Sequence, residues 1–310
     1  MDICISTNRN CNLHCMYCFE RNKSKEEFDI DYCKKKLKNL LKSEIDNQHT
    51  VKLHGGEPFL VFEKIKVFCE DIWDEFPNVI FRTTTNGTLI HGEIQTWLKL
   101  NENHFRIKLS IDGCKEAQDI NRPNSFNLID IHFFSSVLHG VVANLTITPK
   151  TLHLLCKSVA FLHESGFQTI RPNFQELADW DKYEYLKEFH NQLILLKSFY
   201  LLNPQYKVCK LFDIHFERVN DDSEFYYPCT IGSKLAFDIV GEKIVIKDYT
   251  FSTMYKENYT YDKYITTNND MFALKTIYNY ESTEESIDSG KMCAVAIDYS
   301  GLTVESVVVE

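Results

Sequence analysis

The sequence predicts an α/β fold on a parallel sheet, followed by a small α+β domain. Short β-branched segments alternate with helical stretches through roughly the first two-thirds of the 310 residues, which is typical of parallel βα units. The alternation ends at Asn203-Pro204, and the rest of the chain shows only short strands and turns. We therefore predict two domains, residues 1–205 and 206–310.

Six short β-branched segments are predicted strands, and six longer stretches with apolar periodicity are predicted helices. The strands are Asp2–Ser6, Thr50–His54, Asn78–Thr84, His104–Ile111, Val141–Thr148 and Phe167–Arg171. The helices are Lys25–Ile45, Leu60–Phe76, Gly92–Leu100, Leu128–Leu138, Leu152–Ser165 and Trp180–Leu202. Ser24 and Glu27 suggest a capping box for the first helix, and a hairpin is expected from Leu235 to Tyr249. Six βα units are too few to close an eight-unit barrel.

Composition excludes several classes of protein. The 34 Lys+Arg against 44 Asp+Glu give a net charge of −10, which disfavours nucleic acid as a partner, and 44% hydrophobic residues exclude wholesale disorder. No apolar run reaches membrane-spanning length and no signal peptide is evident, so we expect a soluble cytoplasmic protein without a membrane partner. Eleven cysteines in a reducing compartment indicate metal or catalytic chemistry.

Three cysteines stand close together just after the first predicted strand. Cys11, Cys15 and Cys18 have the spacing C-x3-C-x2-C, so three thiolates on one short loop can reach a single inorganic centre. Soft thiolate ligands select zinc, copper(I) or an iron–sulfur cluster, and three cysteines do not complete a four-thiolate zinc site. The alternative is three incidental cysteines, which the tight spacing disfavours.

Polar and glycine-rich segments follow the next three strands, at the sheet edge where parallel sheets bind ligands. They are Gly55-Gly56-Glu57-Pro58, Thr85-Asn86-Gly87-Thr88 and Ser110-Ile111-Asp112-Gly113, with Arg122 downstream. The glycines would let the backbone approach a ligand, Glu57 can bind an ammonium group and Arg122 a carboxylate. Each segment alone is typical of a turn, but their order after successive strands indicates one ligand site.

Together with the cysteine triplet, in which Tyr17 precedes Cys18, these segments resemble the radical S-adenosylmethionine (SAM) enzymes over residues 1–174. The resemblance implies a partial (β/α)6 barrel with a [4Fe–4S] cluster on the three cysteines. It also implies SAM-binding residues, namely Tyr17, Gly55, Gly56, Glu57, Asn86, Ser110, Asp112 and Arg122. The implied reaction is reductive cleavage of SAM to methionine and a 5′-deoxyadenosyl radical, which abstracts hydrogen from a substrate.

Within this family the sequence is most similar to the branch that modifies peptides and proteins, including sulfatase-maturing enzymes. Ser110–Gly113 and Asn144–Thr148 carry that likeness, although Gln118-Asp119 stands where the branch often has His-Asp and Cys114 where it often has proline. The resemblance implies a peptide or protein substrate and an electron donor such as flavodoxin or ferredoxin. Because only ten residues precede Cys11, we expect substrate delivery by a separate leader-recognition protein or by docking on the C-terminal domain.

The C-terminal domain resembles a degenerate SPASM or twitch domain from Cys229 to Gly232. Such domains carry auxiliary iron–sulfur clusters, but the seven-cysteine pattern is incomplete, since only Cys209 and Cys293 accompany Cys229. One alternative is a single auxiliary cluster on these three cysteines with Cys114, and the favoured one is a domain that has lost its metal. Cys114 is also a candidate catalytic thiol, against the alternative of an ordinary loop residue.

Two other functions stay open beside peptide modification by oxidation, crosslinking, thioether formation or epimerisation. Cys18-Phe19 and Gly56–Leu60 also resemble the viperin-type radical SAM enzymes, which would imply a small molecule or nucleotide as substrate. Asp112-Gly113 and the long C-terminal domain argue against that assignment. A non-enzymatic iron–sulfur or metal-binding protein is the third class, and it would need neither Glu57 nor Arg122.

Overall fold

The computed structural model describes residues 2–18, 23–25, 27–42, 49–175, 178–180, 182–212, 235–240 and 243–248. Its strands are β1 Asp2–Asn8, β2 Thr50–Gly55, β3 Ile80–Thr85, β4 Phe105–Ser110, β5 Val142–Ile147, β6 Thr169–Phe174, β7 Leu235–Val240 and β8 Lys243–Asp248. Its helices are α1 Ile30–Lys42, α2 Phe62–Glu75, α3 Glu93–Leu100, α4 Lys115–Asn121, α5 Leu155–Glu164 and α6 Tyr183–Leu202. The six predicted strands and the mostly parallel α/β fold are therefore confirmed.

Contacts divide the chain into two compact units. Of the described residues, the first comprises those within 2–12, 18–108 and 235–248, and its strand order is β4-β3-β2-β1-β7-β8. Of the described residues, the second comprises those within 13–17 and 109–212, and its strand order is β4-β5-β6, in which β4 contributes its last two residues. The pairs β1–β2, β2–β3 and β5–β6 are parallel, as the βα alternation predicts.

The predicted C-terminal hairpin is present as β7 and β8, which pair antiparallel from Leu235 opposite Asp248 to Val240 opposite Lys243. Strand β7 also pairs parallel with β1, where Ile3 lies opposite Phe237. The hairpin thus extends the sheet of the first unit. Most of residues 206–310 lie outside the described part of the chain, so the separate C-terminal domain stays a prediction.

Each unit has its own apolar core under the sheet. In the first, alternate residues of β1 and β2 are fully buried, and Trp73, Phe81, Trp97 and Phe105 stack or meet edge to face at centroid distances of 5.1–5.9 Å. In the second, the inner face of α6 buries Phe189, Leu193 and Leu196 completely. These cores fix the strands, and the strand ends then fix the loops that carry the motifs.

Three details differ from the sequence-based expectation. Helix α1 begins at Ile30, where the Asp29 carboxylate accepts a hydrogen bond from the N–H of Tyr32 at 3.0 Å, so Asp29 caps the helix in place of Ser24. The predicted helix Leu128–Leu138 is instead a short 3₁₀ turn and one π turn, Phe133–Val137. Helix α4 was not predicted.

Among the described residues, no helix is long and apolar enough to cross a bilayer.

Candidate functional site

The three cysteines of the triplet lie on the loop after β1, and their thiols are half-buried and not in disulfides. Three thiols on one accessible loop are a donor set that suits an iron–sulfur cluster. Within the described residues, no group of three or more His, Cys, Asp or Glu side chains is gathered in a metal-ligating arrangement. The cluster ligands Cys11, Cys15 and Cys18 therefore stay a prediction from spacing and donor chemistry.

In the first unit, the Gly55-Gly56 segment packs against the start of the cysteine loop. The N–H of Gly56 donates to the carbonyl of Asn8 at 3.0 Å, and the N–H of Glu57 donates to the carbonyl of Asn10 at 2.7 Å. A Cβ at Gly55 would collide with the carbonyl of Asn8, and one at Gly56 with the carbonyl of Asn10. The glycines therefore permit a close approach to the cysteine loop itself, whereas their contact with SAM stays a prediction.

The carboxylate of Glu57 is directed into the protein and is only 1% exposed. One oxygen accepts hydrogen bonds from the N–H of Phe59 at 3.1 Å and the hydroxyl of Thr85 at 2.7 Å. The other oxygen accepts from the N–H of Asn86 at 2.8 Å. Glu57 thus caps the 3₁₀ turn Pro58–Val61 and holds the turn after β3, and its predicted bond to the amino group of SAM would come in addition to these three.

The side chain of Asn86 connects that turn to the cysteine loop. Its oxygen accepts from the N–H and the hydroxyl of Thr88 at 2.9 and 2.7 Å, which determines the orientation of the amide. Its NH₂ group donates to the side-chain oxygen of Asn12 at 2.9 Å and to Sγ of Cys11 at 3.8 Å. Asn12 in turn donates to Thr88 at 2.8 Å. The residue predicted from the turn motif is therefore a neighbour of a predicted cluster ligand.

In the second unit, Asp112 is the centre of a buried hydrogen-bond network. One carboxylate oxygen accepts from the hydroxyl of Tyr17 at 2.7 Å and from Nε of Arg122 at 3.1 Å. The other accepts from the backbone N–H of Thr146 at 2.9 Å. The N–H of Met16 also donates to the carbonyl of Asn121 at 2.9 Å. Residues 16 and 17 of the cysteine loop are thus tied to α4 and to the turn after β4.

Arg122 is buried in this network and lies against the cysteine loop. Its guanidinium carbon is 5.2 Å from the centre of the Tyr17 ring, and its Nη1 donates to Sγ of Cys15 at 3.6 Å. Burial raises the pKa of Tyr17 well above its usual value, so Tyr17 acts as a neutral donor to Asp112. Burial alone would lower the pKa of Arg122, but the neighbouring Asp112 carboxylate raises it above its usual value. Arg122 is therefore a permanent cation beside a predicted cluster ligand.

Sequence reasoning missed the role of Gln118, which was noted only as a departure from the family pattern. Its side-chain oxygen accepts the backbone N–H of Asp112 at 2.7 Å, and its NH₂ group donates to the hydroxyl of Ser125 at 2.8 Å. Ser125 donates to the carbonyl of Arg122 at 2.7 Å. Gln118, which is fully buried, thus braces the two residues predicted to meet SAM.

The remaining candidate residues are four cysteines and one serine, and those that the structure describes lie in different surroundings. Cys114 is 6% exposed and packs with Ala117 and Leu154 in an apolar cluster, as a core cysteine does, so its suggested role as a catalytic thiol stays a prediction. Ser110 is buried at the end of β4. Cys209 is also buried, and its N–H donates to the hydroxyl of Tyr200 at 2.9 Å. Cys229 and Cys293 lie outside the described residues.

Comparison with known proteins places these motifs in a family. Residues 5–129 match the model of the Radical SAM superfamily. The cysteine-type anaerobic sulfatase-maturating enzyme of Clostridium novyi (strain NT) is 33% identical over 137 residues, which are 39% of this chain and 36% of that enzyme. The uncharacterized protein MJ0907 of Methanocaldococcus jannaschii is 39% identical over 120 residues, which are 38% of this chain and 40% of that protein. The chain thus matches well under half the length of these relatives.

Solved structures share the fold. Native anSMEcpe with bound AdoMet and the Cp18Cys peptide superposes with a TM-score of 0.68 at 18% identity, covering 97% of this chain and 96% of that chain. Streptococcus suis SuiB bound to the precursor peptide SuiA superposes with a TM-score of 0.55 at 16% identity, covering 94% and 70%. At these identities the likeness is one of fold. Residues 5–129, which match the family model, show that the chain carries a radical SAM domain.

Proposed function

We propose that this protein modifies a side chain of a peptide or protein by radical SAM chemistry. A [4Fe–4S] cluster on Cys11, Cys15 and Cys18 with bound SAM would supply reductive cleavage of SAM and a 5′-deoxyadenosyl radical that removes a hydrogen atom. The residues present suit these groups, because the triplet offers three thiols on one loop, the buried guanidinium of Arg122 donates to Cys15, and the amide of Asn86 donates to Cys11. Auxiliary cluster binding at Cys209, Cys229 and Cys293 is not part of the proposal.

One observation carries the radical SAM part of the proposal. Residues of the cysteine loop are bonded to the motif that follows β4, more than ninety positions away along the chain, through Tyr17 to Asp112 and Arg122 to Cys15. Buried charged groups that hold a loop of reactive thiols are costly unless they are paired, and here they are paired with each other. Such an arrangement suits an iron–sulfur cluster that accepts an electron beside the cation of Arg122. The remaining N–H groups of Arg122 can bind the carboxylate of a ligand next to the cluster.

The peptide part of the proposal is supported by the relatives. Two solved neighbours carry peptides, the Cp18Cys peptide in anSMEcpe and the precursor peptide SuiA in SuiB, and a curated relative is a sulfatase-maturating enzyme. The substrate of this chain is therefore proposed to be a peptide, supplied with a separate recognition protein, and its electron donor a flavodoxin or ferredoxin. The viperin-like alternative, a nucleotide substrate, is separated from it by the experiment below.

The proposal is tested with anaerobically reconstituted protein, dithionite and SAM. The substrate probe is a tryptic digest of bacterial protein grown in deuterium oxide, because it presents every side chain in an extended peptide. We expect deuterium in the 5′-deoxyadenosine that is released, and none when Cys11, Cys15 and Cys18 are all replaced by alanine. Mass spectrometry of the digest then identifies the modified side chain.

The outcomes separate the alternatives. Deuterium transfer only from perdeuterated nucleoside triphosphates, offered in a parallel reaction, would replace the peptide by a nucleotide. Release of 5′-deoxyadenosine by the triple alanine variant at the parent rate would overturn the cluster assignment. Iron binding without any cleavage of SAM, in both Arg122→Ala and the parent protein, would favour a non-enzymatic iron–sulfur protein.

A further inference from the structure

Two of the three predicted cluster ligands receive a hydrogen bond from a side-chain N–H group. Nη1 of Arg122 donates to Sγ of Cys15 at 3.6 Å within the second unit. Nδ2 of Asn86 donates to Sγ of Cys11 at 3.8 Å within the first unit. Both donors were singled out from the sequence for a different task, contact with SAM. Their bonds to sulfur give them a task that precedes SAM binding.

The donors are held in place by partners other than the cysteines. Arg122 is 7% exposed, and Nε is bonded to Asp112 while its plane lies over the Tyr17 ring. The Asn86 amide is oriented by Thr88, since its oxygen accepts both the N–H and the hydroxyl of that residue. Because neither side chain is free to rotate, each N–H stays directed at its sulfur.

A hydrogen bond to a cysteine sulfur stabilises an iron–sulfur cluster more in its reduced form, which carries one more negative charge. A buried cation acts in the same direction and more strongly, because its charge is little screened by water. Reduction by one electron takes [4Fe–4S]²⁺ to [4Fe–4S]⁺ with dithionite as the electron source. Donors on two sulfurs should therefore make the cluster easier to reduce.

We propose that Arg122 and Asn86 are positioning residues that raise the reduction potential of the cluster through their N–H bonds to Cys15 and Cys11. Arg122 contributes more, since it adds a buried positive charge. The inference rests on the proposed function only in requiring a cluster on the triplet, and it is independent of the substrate.

The experiment measures the midpoint potential of the reconstituted protein by EPR-monitored titration without SAM, so that altered SAM binding does not contribute. Arg122→Met removes the donor and the charge, and at a fixed potential the ratio of reduced to oxidised cluster should fall about tenfold, which is a shift of about 59 mV for one electron. Asp112→Asn keeps the Arg122 donor and removes a negative charge, so it should shift the ratio the opposite way.

Two more variants isolate the hydrogen bonds. The double variant Arg122→Met, Asp112→Asn leaves the local formal charge unchanged and removes the N–H donor to Cys15, so its potential should lie below the parent value by less than that of Arg122→Met. Asn86→Leu loses the donor to Cys11 without adding a charge, and it should also lower the potential.

Iron and sulfide content are measured for every variant. Parent-like potentials in Arg122→Met and Asn86→Leu, at parent-like iron content, would overturn the inference. Loss of the cluster from both Arg122→Met and Asp112→Asn would also overturn the inference. The contacts would then be needed to retain the cluster, and not to set its reduction potential. A parent protein that binds a cluster but modifies no peptide would refute the proposed function and leave the inference standing, whereas a parent protein without a cluster would refute both.

Discussion

The carboxylate of Glu57 accepts a hydrogen bond from the backbone N–H of Asn86 at 2.8 Å, and so joins the turn after β3 to the segment after β2. The same carboxylate caps the turn Pro58–Val61 and accepts the hydroxyl of Thr85. A buried carboxylate with three donors in the protein is part of the structure before any ligand binds. The Asn86 side chain, which reaches Cys11, is held by the same arrangement.

We predict that Glu57→Gln destabilises the protein. An amide in place of the carboxylate keeps the size of the side chain but replaces one acceptor by an NH₂ group, so either Asn86 or the Phe59 and Thr85 pair loses its acceptor. Loss of a hydrogen bond to a charged group costs about 1.5–3 kcal/mol. The urea midpoint of the cluster-free protein measures the change. If stability is unchanged while SAM affinity, measured by calorimetry, falls, ligand binding is the main role of Glu57.

Gly56→Ala should disrupt the cysteine loop. The added Cβ would meet the carbonyl of Asn10, a backbone group that cannot rotate away, and overpacking of this kind costs up to about 3 kcal/mol. We expect the variant to retain less iron than the parent after reconstitution. The control is Gly92→Ala, where the backbone has φ +54° but no atom lies within 4 Å of the added Cβ. Equal loss of iron in both variants would show that the loop does not depend on this close approach.

The sequence predicted the strands better than the connections between them. All six strands of the βα units were located from β-branched composition, because alternate residues of each strand are buried and this requirement acts on the residues directly. The capping of α1 by Asp29 was missed, since an Asp, a Ser and a Glu within six positions offer competing caps. Helix α4, with the polar sequence KEAQDIN, was missed because its stability comes from tertiary contacts of residues such as Gln118 and Asn121.

For the site, the motifs identified the residues but not their partners. Spacing alone selected Asp112 and Arg122, yet their bond to each other, and to Tyr17 and Cys15, depends on the fold of a loop and a helix that are far apart in sequence. The physical reason is that charge and residue type define what a side chain can bind, whereas burial decides which of the available partners it meets. Cys114 illustrates the same limit, because only the structure shows that it packs in a core.

Gln118→Leu tests the brace behind Asp112. The substitution removes the acceptor for the backbone N–H of Asp112 and the donor to Ser125, and it leaves both groups buried without these bonds. Each unsatisfied buried group costs about 1–3 kcal/mol, so we expect a clear decrease of the urea midpoint together with weaker SAM binding. Gln118→His, which introduces the residue frequent in the related branch, should recover part of both. An unchanged midpoint in Gln118→Leu would contradict the role assigned to this amide.

The last prediction concerns stability and pH. His163 lies in the last turn of α5 and is buried, and its Nδ1 lies 3.2 Å from the carbonyl of Phe167 and its Nε2 3.1 Å from the hydroxyl of Tyr200 in α6. Burial lowers its pKa below the usual 6.5, partly offset by the bond to Phe167. The folded protein therefore resists protonation of this ring, whereas the unfolded chain binds a proton below about pH 6.5.

Because the unfolded state gains that proton first, stability should decrease as the pH falls from about 6.5 toward the lower pKa of the folded state, and it should be insensitive to this group at higher pH. Urea midpoints at pH 7.5 and 5.5 measure the difference. His163→Gln removes the titrating ring, so the decrease between the two pH values should become smaller. The matched control is His132→Gln, at an exposed position, which should leave the parent decrease intact. A decrease in His163→Gln as large as in the parent would show that other groups cause the acid sensitivity.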